Sequence, residues 1–454
     1  MNTLYETVKN SRSRHDILNK CDVAGSYDFY TLIVSMDSID SRYFGELQKY
    51  SDQIKSATQG RNPLPLSLYE LAKKFFPLAV HEYTHFVDCT STLWGIKYLH
   101  KMGCAYVADD RRYNGKETDF FQAKEFHDLV RFAKLPNYYT YKPGIANNDR
   151  PWSAQVTIGK RFNSSGEISD HPILFVWFKT LSGIPIVRSP ISTISILECS
   201  AMSQEIALNI DLIKSLNDVE RTIEAKQYQK NLLEYIYNQD LTEYSVCAHL
   251  IANRFKQKDI VETFKLCSVV CRHVLNTPSA IFLKISKSGA AEKVFGPDAK
   301  EWVDSVNKGL ESCEIGFLFY LLCETLPEDT MNHGKPIKVS IKEAYEKLGV
   351  QYKELVSMSK SDFASISREI KGLPIDQLKV VAQAGDKNYK KISWNSPALK
   401  YEMLNVPPVL LNDGEQIDVF ISEKNVLLGI NLEDFYSEFI EGQIWVERFV
   451  EVCA

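Results

Sequence analysis

At 454 residues the chain has room for one large domain or two to three ordinary ones, and 44% hydrophobic with 24% charged residues excludes general disorder. A formal charge of -5 and a pI near 6.1 exclude a broadly basic nucleic-acid-binding face. The basic clusters Arg12 to Arg14 and Arg111 with Arg112 are short, have acids nearby and read as solvated surface.

In chain order, the polar start MNTLYETVKNSRSRHD lacks the apolar core of a secretory signal. Tyr27 to Met36, rich in β-branched and aromatic residues, reads as a buried strand. A polar helix follows over Arg42 to Ala57, then a Gly-Arg-Asn-Pro break at 60 to 63. Ser67, with Glu70 three residues on, reads as a capping box opening a long helix. That helix runs through Leu71, Phe75 and Val80 into His81, with Pro77 as a kink and Gly95 as its first firm break. From about 135 to 190 proline, glycine, asparagine and tyrosine accumulate. Strands are expected at Ala154 to Phe162, Pro172 to Lys179 and Ile184 to Val187, the first two split by the turn-forming NSSGE.

Helical periodicity resumes with SILECSAMSQEIALNIDLIKSL and continues in pieces to about 285. KSGAAEKVFGPDAK is the expected linker, followed by helices near 298 to 325, 339 to 360 and 362 to 384, and a terminal helix in EDFYSEFIEGQIWVERFVEV. The longest strongly apolar runs, such as Gly316 to Cys323, fall far short of the roughly 20 residues a spanning helix needs, so no membrane partner is expected. Ten cysteines without a CxxC pair suit reduced thiols in the cytoplasm. The fold class is therefore helix-dominated α+β. A catalytic domain is expected over 1 to 290, carrying the strand-rich insertion, with a mainly helical region over 291 to 454 as a regulatory or substrate-binding part.

The chemistry concentrates in LAVHEYTHFVDCTSTLWG, residues 78 to 95. Residues i and i+4 lie one above the other on a helix, so His81 and His85 can aim imidazole nitrogens at one metal ion. Glu82 projects beside that point, where it can take a proton from a metal-bound water. The motif lies in an apolar helix, where two histidines and a glutamate need partners, and a metal supplies one for all three.

A catalytic zinc needs a third protein ligand. The H-E-x-x-H-x-x-G-x-x-H continuation fails, because Asp88 and Ser91 stand where glycine and histidine are required. Glu198 in SILECSAMSQE is the best candidate, on an apolar helix where Glu198, Ala201, Met202 and Glu205 share a face. Asp88, His100, Asp109, His127 and His171 are rivals. Asp88 and Glu205 are the expected outer partners of the histidines. For stabilising a developing oxyanion, Tyr244 and His249 are candidates, with His171 and the Tyr138 to Tyr141 cluster as others.

On these residues, HEYTH on one helix and a glutamate on a second, the chain resembles the gluzincin-type zincin metallopeptidases. The resemblance implies a zincin-like core with a small β-sheet. It makes His81, His85 and Glu198 the ligands of one Zn²⁺ per chain and Glu82 the general base. The chain departs from the family in the long stretch between His85 and Glu198 and in lacking N-E-x-x-x-D around the third ligand. The implied activity is peptide-bond hydrolysis on a protein or peptide substrate. A peptidase sharing a compartment with other proteins implies narrow specificity or a regulatory protein partner. In zincins an edge strand pairs with extended substrate. Ala154 to Phe162, Pro172 to Lys179 or Tyr27 to Met36 can supply one. The alternatives are a binding or regulatory module on the same scaffold, and a zinc hydrolase of a non-peptide amide or ester.

Overall fold

The computed structural model of the chain describes residues 3–12, 24–108, 121–144, 150–163, 166–296, 298–331 and 335–453. Asp109, the Arg111–Arg112 pair, Cys21 and part of the NSSGE turn lie outside the described residues. Eighteen α-helices and two small sheets make up the described fold. The sequence pattern of helix-dominated α+β is what the structure has.

Two long helices cross at the centre, Leu66–Ser91 and Thr193–Lys214, and pack along each other. Every residue from Ala79 to Ser91 is buried, as is every residue from Ile194 to Gln204. A helix apolar on one stripe sits at a surface, whereas these are enclosed all round. Enclosure forces each polar group on them to find a partner within the protein.

The first of these helices starts differently from the sequence reading. Pro65 is its N-cap residue, and its carbonyl accepts from the Leu68 and Tyr69 N–H groups. Ser67 therefore lies inside the helix, and Glu70 pairs at the surface with Lys73, 2.7 Å away. Pro77 stays within the helix without ending it. The helix stops at Ser91 because Thr92 turns extended (ψ 165°) and caps the next helix, Leu93–Val107, by accepting from the Gly95 N–H. Gly95 is thus the third residue of a new helix. A Cβ there would come within 2.3 Å of the Asp88 carbonyl oxygen, so the tight junction excludes any larger residue.

Tyr27 to Met36 is not one strand. Ser26–Tyr27 and Val34–Met36 pair antiparallel around a turn. The Asp28 carboxylate accepts from the Tyr30 and Thr31 N–H groups at 2.8 Å each, an Asx turn that reverses the chain. Val34–Met36 then pairs parallel with Val409–Leu411, which pairs with Gln416–Ile417, so one sheet joins the two ends of the chain. The helix expected over Arg42 to Ala57 is two, Ser41–Lys49 and Ser51–Thr58.

The second sheet is antiparallel, in the order Ser153–Phe162, Ile168–Lys179, Pro185–Pro190. Ile168–Lys179 is its centre and is paired on both sides from Phe175 to Lys179, so that part of the Pro172 to Lys179 segment offers no edge for an added strand. Ser153–Phe162 pairs on one side only.

The expected linker holds a helix, Ala290–Phe295, framed by Gly289 and Gly296 at positive φ. One apolar core runs through residues on both sides of position 290, from Phe75 and Leu197 to Leu322, Leu378 and Phe439. Among the described residues no single helix is long and apolar enough to cross a membrane.

Candidate metal centre

The local period of the helix puts His81 and His85 on one face, and the crossing of the two central helices brings Glu198 to them. His81 Nε2 and His85 Nε2 are 3.2 Å apart, and the Glu198 carboxylate is 3.3 Å from the first and 3.4 Å from the second. His81 is 3% exposed, His85 1% and Glu198 1%. These three are the group among the described residues whose ligand atoms converge closely enough to hold one metal ion.

The chemistry of the triangle favours a cation. On the outer side, His81 Nδ1 is 3.0 Å from the Glu205 carboxylate, an arrangement in which Nδ1–H donates to it. In the neutral ring that leaves the Nε2 lone pair facing inward, toward His85 and Glu198. A point about 2 Å from all three atoms exists, which is the usual distance from zinc to imidazole nitrogen and carboxylate oxygen. The Glu198 oxygen facing the two rings has no hydrogen-bond partner of good geometry, as an atom waiting for an ion would.

Protons respond to the same fields. Burial works against a charged His81, but the close carboxylates of Glu198 and Glu205 outweigh it and hold its pKa well above the ordinary value. Burial pushes the Glu198 carboxyl up, yet the charge of His85 and the close approach of both imidazoles outweigh it, leaving its pKa at about 2. The site is therefore built for positive charge at its centre. Glu82, 3% exposed, is near enough to His81 to raise its pKa further.

Glu198 and Glu205, seven residues apart, share a helix face, and both reach His81. Outer carboxylates of this kind fix the tautomer and aim of a ligating ring. Replacing Glu205 with Ala is expected to weaken metal retention by about 10–100-fold while one metal per chain still binds at saturation. Competition against a chelator of known affinity measures this.

The other candidates fall elsewhere. Asp88 is buried, but it sits with Ser200 and the buried Arg272, and burial lifts its pKa to about 6. His100 lies beside Cys104 and Glu369, and His127 beside Asp128. His171 is on the exposed part of a strand. Tyr138 and Tyr141 are more than half exposed, while the Tyr139 hydroxyl accepts from the Phe162 N–H.

His249 is held in an aromatic cage of Trp152, Phe178 and Tyr237, its Nε2 donating to the Ile236 carbonyl at 3.1 Å. Tyr244 is buried with its ring against Tyr235. Those are the surroundings of packed core residues, unlike the carboxylates around His81.

His249 and His273 make a stability prediction. Burial holds each pKa down to about 4, against an ordinary value near 6.5 for the unfolded chain. Between those values the unfolded state binds more protons, so each histidine's contribution is intact above pH 6.5 and lost as pH falls to 4. The loss is on the order of 3 kcal/mol per histidine. Asp88, held up by burial, works in the opposite sense, so the difference between variants is the clean readout. His249→Phe is expected to flatten the fall in denaturation midpoint between pH 7 and pH 4.5; an unchanged slope would contradict it.

Sequence reasoning missed two neighbours of the site. Tyr27, from the short hairpin, stacks on His85 with ring centroids 6.4 Å apart. Tyr228, on helix Asp218–Ile236, lies beside Glu205 and Asn209. Both come from elements whose approach only the tertiary fold sets. Segment 396–408 also ties the two ligand helices down. Tyr83 donates to the Pro407 carbonyl at 2.8 Å, and Gln204 bonds both Pro397 and Leu399.

No family model, no curated protein and no solved structure matches this chain.

Proposed function

We propose that the chain is a zinc-dependent hydrolase, most simply a peptidase of narrow or partner-controlled specificity acting on a protein or peptide substrate. The observation that carries this is the convergence of His81, His85 and Glu198, with Glu82 adjoining His81 on the same helix. The resemblance of HEYTH and its glutamate partner to the zincin metallopeptidases supports it. Two imidazoles and one carboxylate also suit zinc among divalent metals.

His81, His85 and Glu198 would hold the ion. When bound, it supplies a Lewis acid that lowers the pKa of a coordinated water toward 7. Glu205 keeps His81 in the tautomer that presents Nε2 inward, and Tyr27 packs against the His85 ring. Glu82 takes the proton of the attacking water on its carboxylate and gives it to the leaving amine. Burial of the set keeps bulk water away, which strengthens each of these electrostatic effects.

That same burial favours a second reading. With all three ligands at 3% exposure or less, the ion can instead be a structural one that locks the two central helices in a binding or regulatory module.

Stripping the metal distinguishes activity from contamination. A chelator is expected to abolish cleavage of a mixed peptide library, and zinc to restore it, with new termini read by mass spectrometry. Cleavage that persists in the stripped protein would contradict the proposal. Full loss of secondary structure on stripping, with no cleavage before it, would favour the structural reading.

A further inference from the structure

A second region with its own chemistry lies in the C-terminal half. Helices Tyr352–Lys371 and Asp376–Lys391 pack together, and with segment 392–395 and Lys338 they line a cavity of about 710 Å³. Ligand pockets of small molecules run to roughly 300–1,000 Å³.

The walls are cationic. Lys338, Lys360, Arg368, Lys371 and Lys390 line the cavity, against a single lining carboxylate, Asp386. Asp386 is taken by Lys371, to which it is hydrogen-bonded. Among the described residues Lys338, Lys360, Arg368 and Lys390 make no ion pair. A surface helix normally disperses like charges or alternates them with acids. Here four unpaired cations face one concavity, where low-dielectric walls concentrate their field.

The floor is aromatic. Tyr352, Phe363, Tyr389 and Trp394 line it, with Tyr389 stacked on Phe363 at 4.0 Å and set edge-on to Trp394 at 6.1 Å. Asn395 fixes the rim, its amide donating to the Tyr352 hydroxyl at 3.1 Å and its carbonyl oxygen accepting from His273 at 3.1 Å.

We propose that this cavity binds a mononucleotide, its base against the Tyr352, Tyr389 and Trp394 rings and its phosphates held by Lys360, Arg368, Lys390 and Lys338. The two halves of the lining call for a ligand that joins a flat ring to concentrated negative charge. Guanidinium offers a planar fork for phosphate oxygens, and lysines add point charges. An acidic peptide would satisfy the cations but offers no flat ring for the floor. The site is separate from the His-His-Glu centre and stands whether or not that centre catalyses.

The test is titration of the full chain at low ionic strength with ATP, GTP, CTP and UTP, followed by calorimetry. Inorganic triphosphate and adenosine are the comparison probes. At least one nucleotide is expected to bind one per chain, with triphosphate alone and nucleoside alone each about tenfold weaker or more, since stacking a base is worth about 1–3 kcal/mol. Lys360→Glu and Arg368→Glu, both at exposed positions, are expected to weaken binding at least about tenfold with the thermal midpoint unchanged. Lys226→Glu, at an exposed position on a helix that does not line the cavity, should leave it unchanged. The proposal is overturned by no binding of any of the four at about 1 mM. It is equally overturned by binding that survives both charge reversals, or by triphosphate binding as tightly as the nucleotides, which would make this an anion site only.

Discussion

If the chain is the proposed hydrolase, Glu82→Gln is expected to keep the metal and to lower turnover by roughly 10²–10⁴-fold. The substitution preserves volume and shape and exchanges one acceptor oxygen for an NH2 donor, so the buried helix around position 82 has no cavity to fill. Glu82 is not one of the three converging ligands, and His81, His85 and Glu198 are untouched by the change. What disappears is a carboxylate beside His81 that is neither a converging ligand nor the Nδ1 partner, and so can accept a proton and return it. Unchanged metal with unchanged activity would mean that another base serves, or that the chemistry is not hydrolysis by activated water. Loss of metal together with activity would make Glu82 a ligand rather than a base.

His81→Ala is expected to have the opposite signature, with the metal gone. Removing an outer partner of a ligand costs about 10–100-fold in affinity, and removing the ligand itself costs more. His81 also stands between two carboxylates, Glu198 and Glu205. Its loss leaves the buried Glu198 carboxylate with only His85 of its two histidine partners, a less compensated buried charge that costs stability as well as metal. A fall in metal content from near one per chain to near zero, with a lowered thermal midpoint, is the expected result. Retained metal would move the site away from this helix.

How much of this was legible in the sequence depended on the range of the interaction. The His81–His85 pairing is a property of one helix turn, so five letters suffice. Glu198 was legible at one remove: an acid on an otherwise apolar helix face, with Glu205 two turns on, needs a partner that only another helix can bring. The partners of His85 were not legible, because Tyr27 arrives on a hairpin that sequence pattern had read as one continuous strand. The turn signal there was Asp28, whose carboxylate reverses the chain within a run of β-formers. Likewise Ser67 had the spelling of a cap, but Pro65 two residues earlier already presents its carbonyl to the first turn and sets the start. Gly95 looked like a helix stop and is instead the close-packed third residue of the next helix. The sheet joining Val34–Met36 to Val409–Leu411 rests on pairing between segments at opposite ends of the chain, for which no local pattern exists. His249, chosen from a helix as an oxyanion partner, is satisfied by a backbone carbonyl and three aromatic rings, a fate that spacing alone does not reveal.

Whether His81, His85 and Glu198 hold a metal ion is tested most directly by elemental analysis of the wild-type chain purified without chelators. Close to one zinc per chain is expected, lost in His81→Ala and kept in Glu82→Gln. Wild-type protein that carries no metal, and takes up none when zinc is supplied, would contradict that expectation.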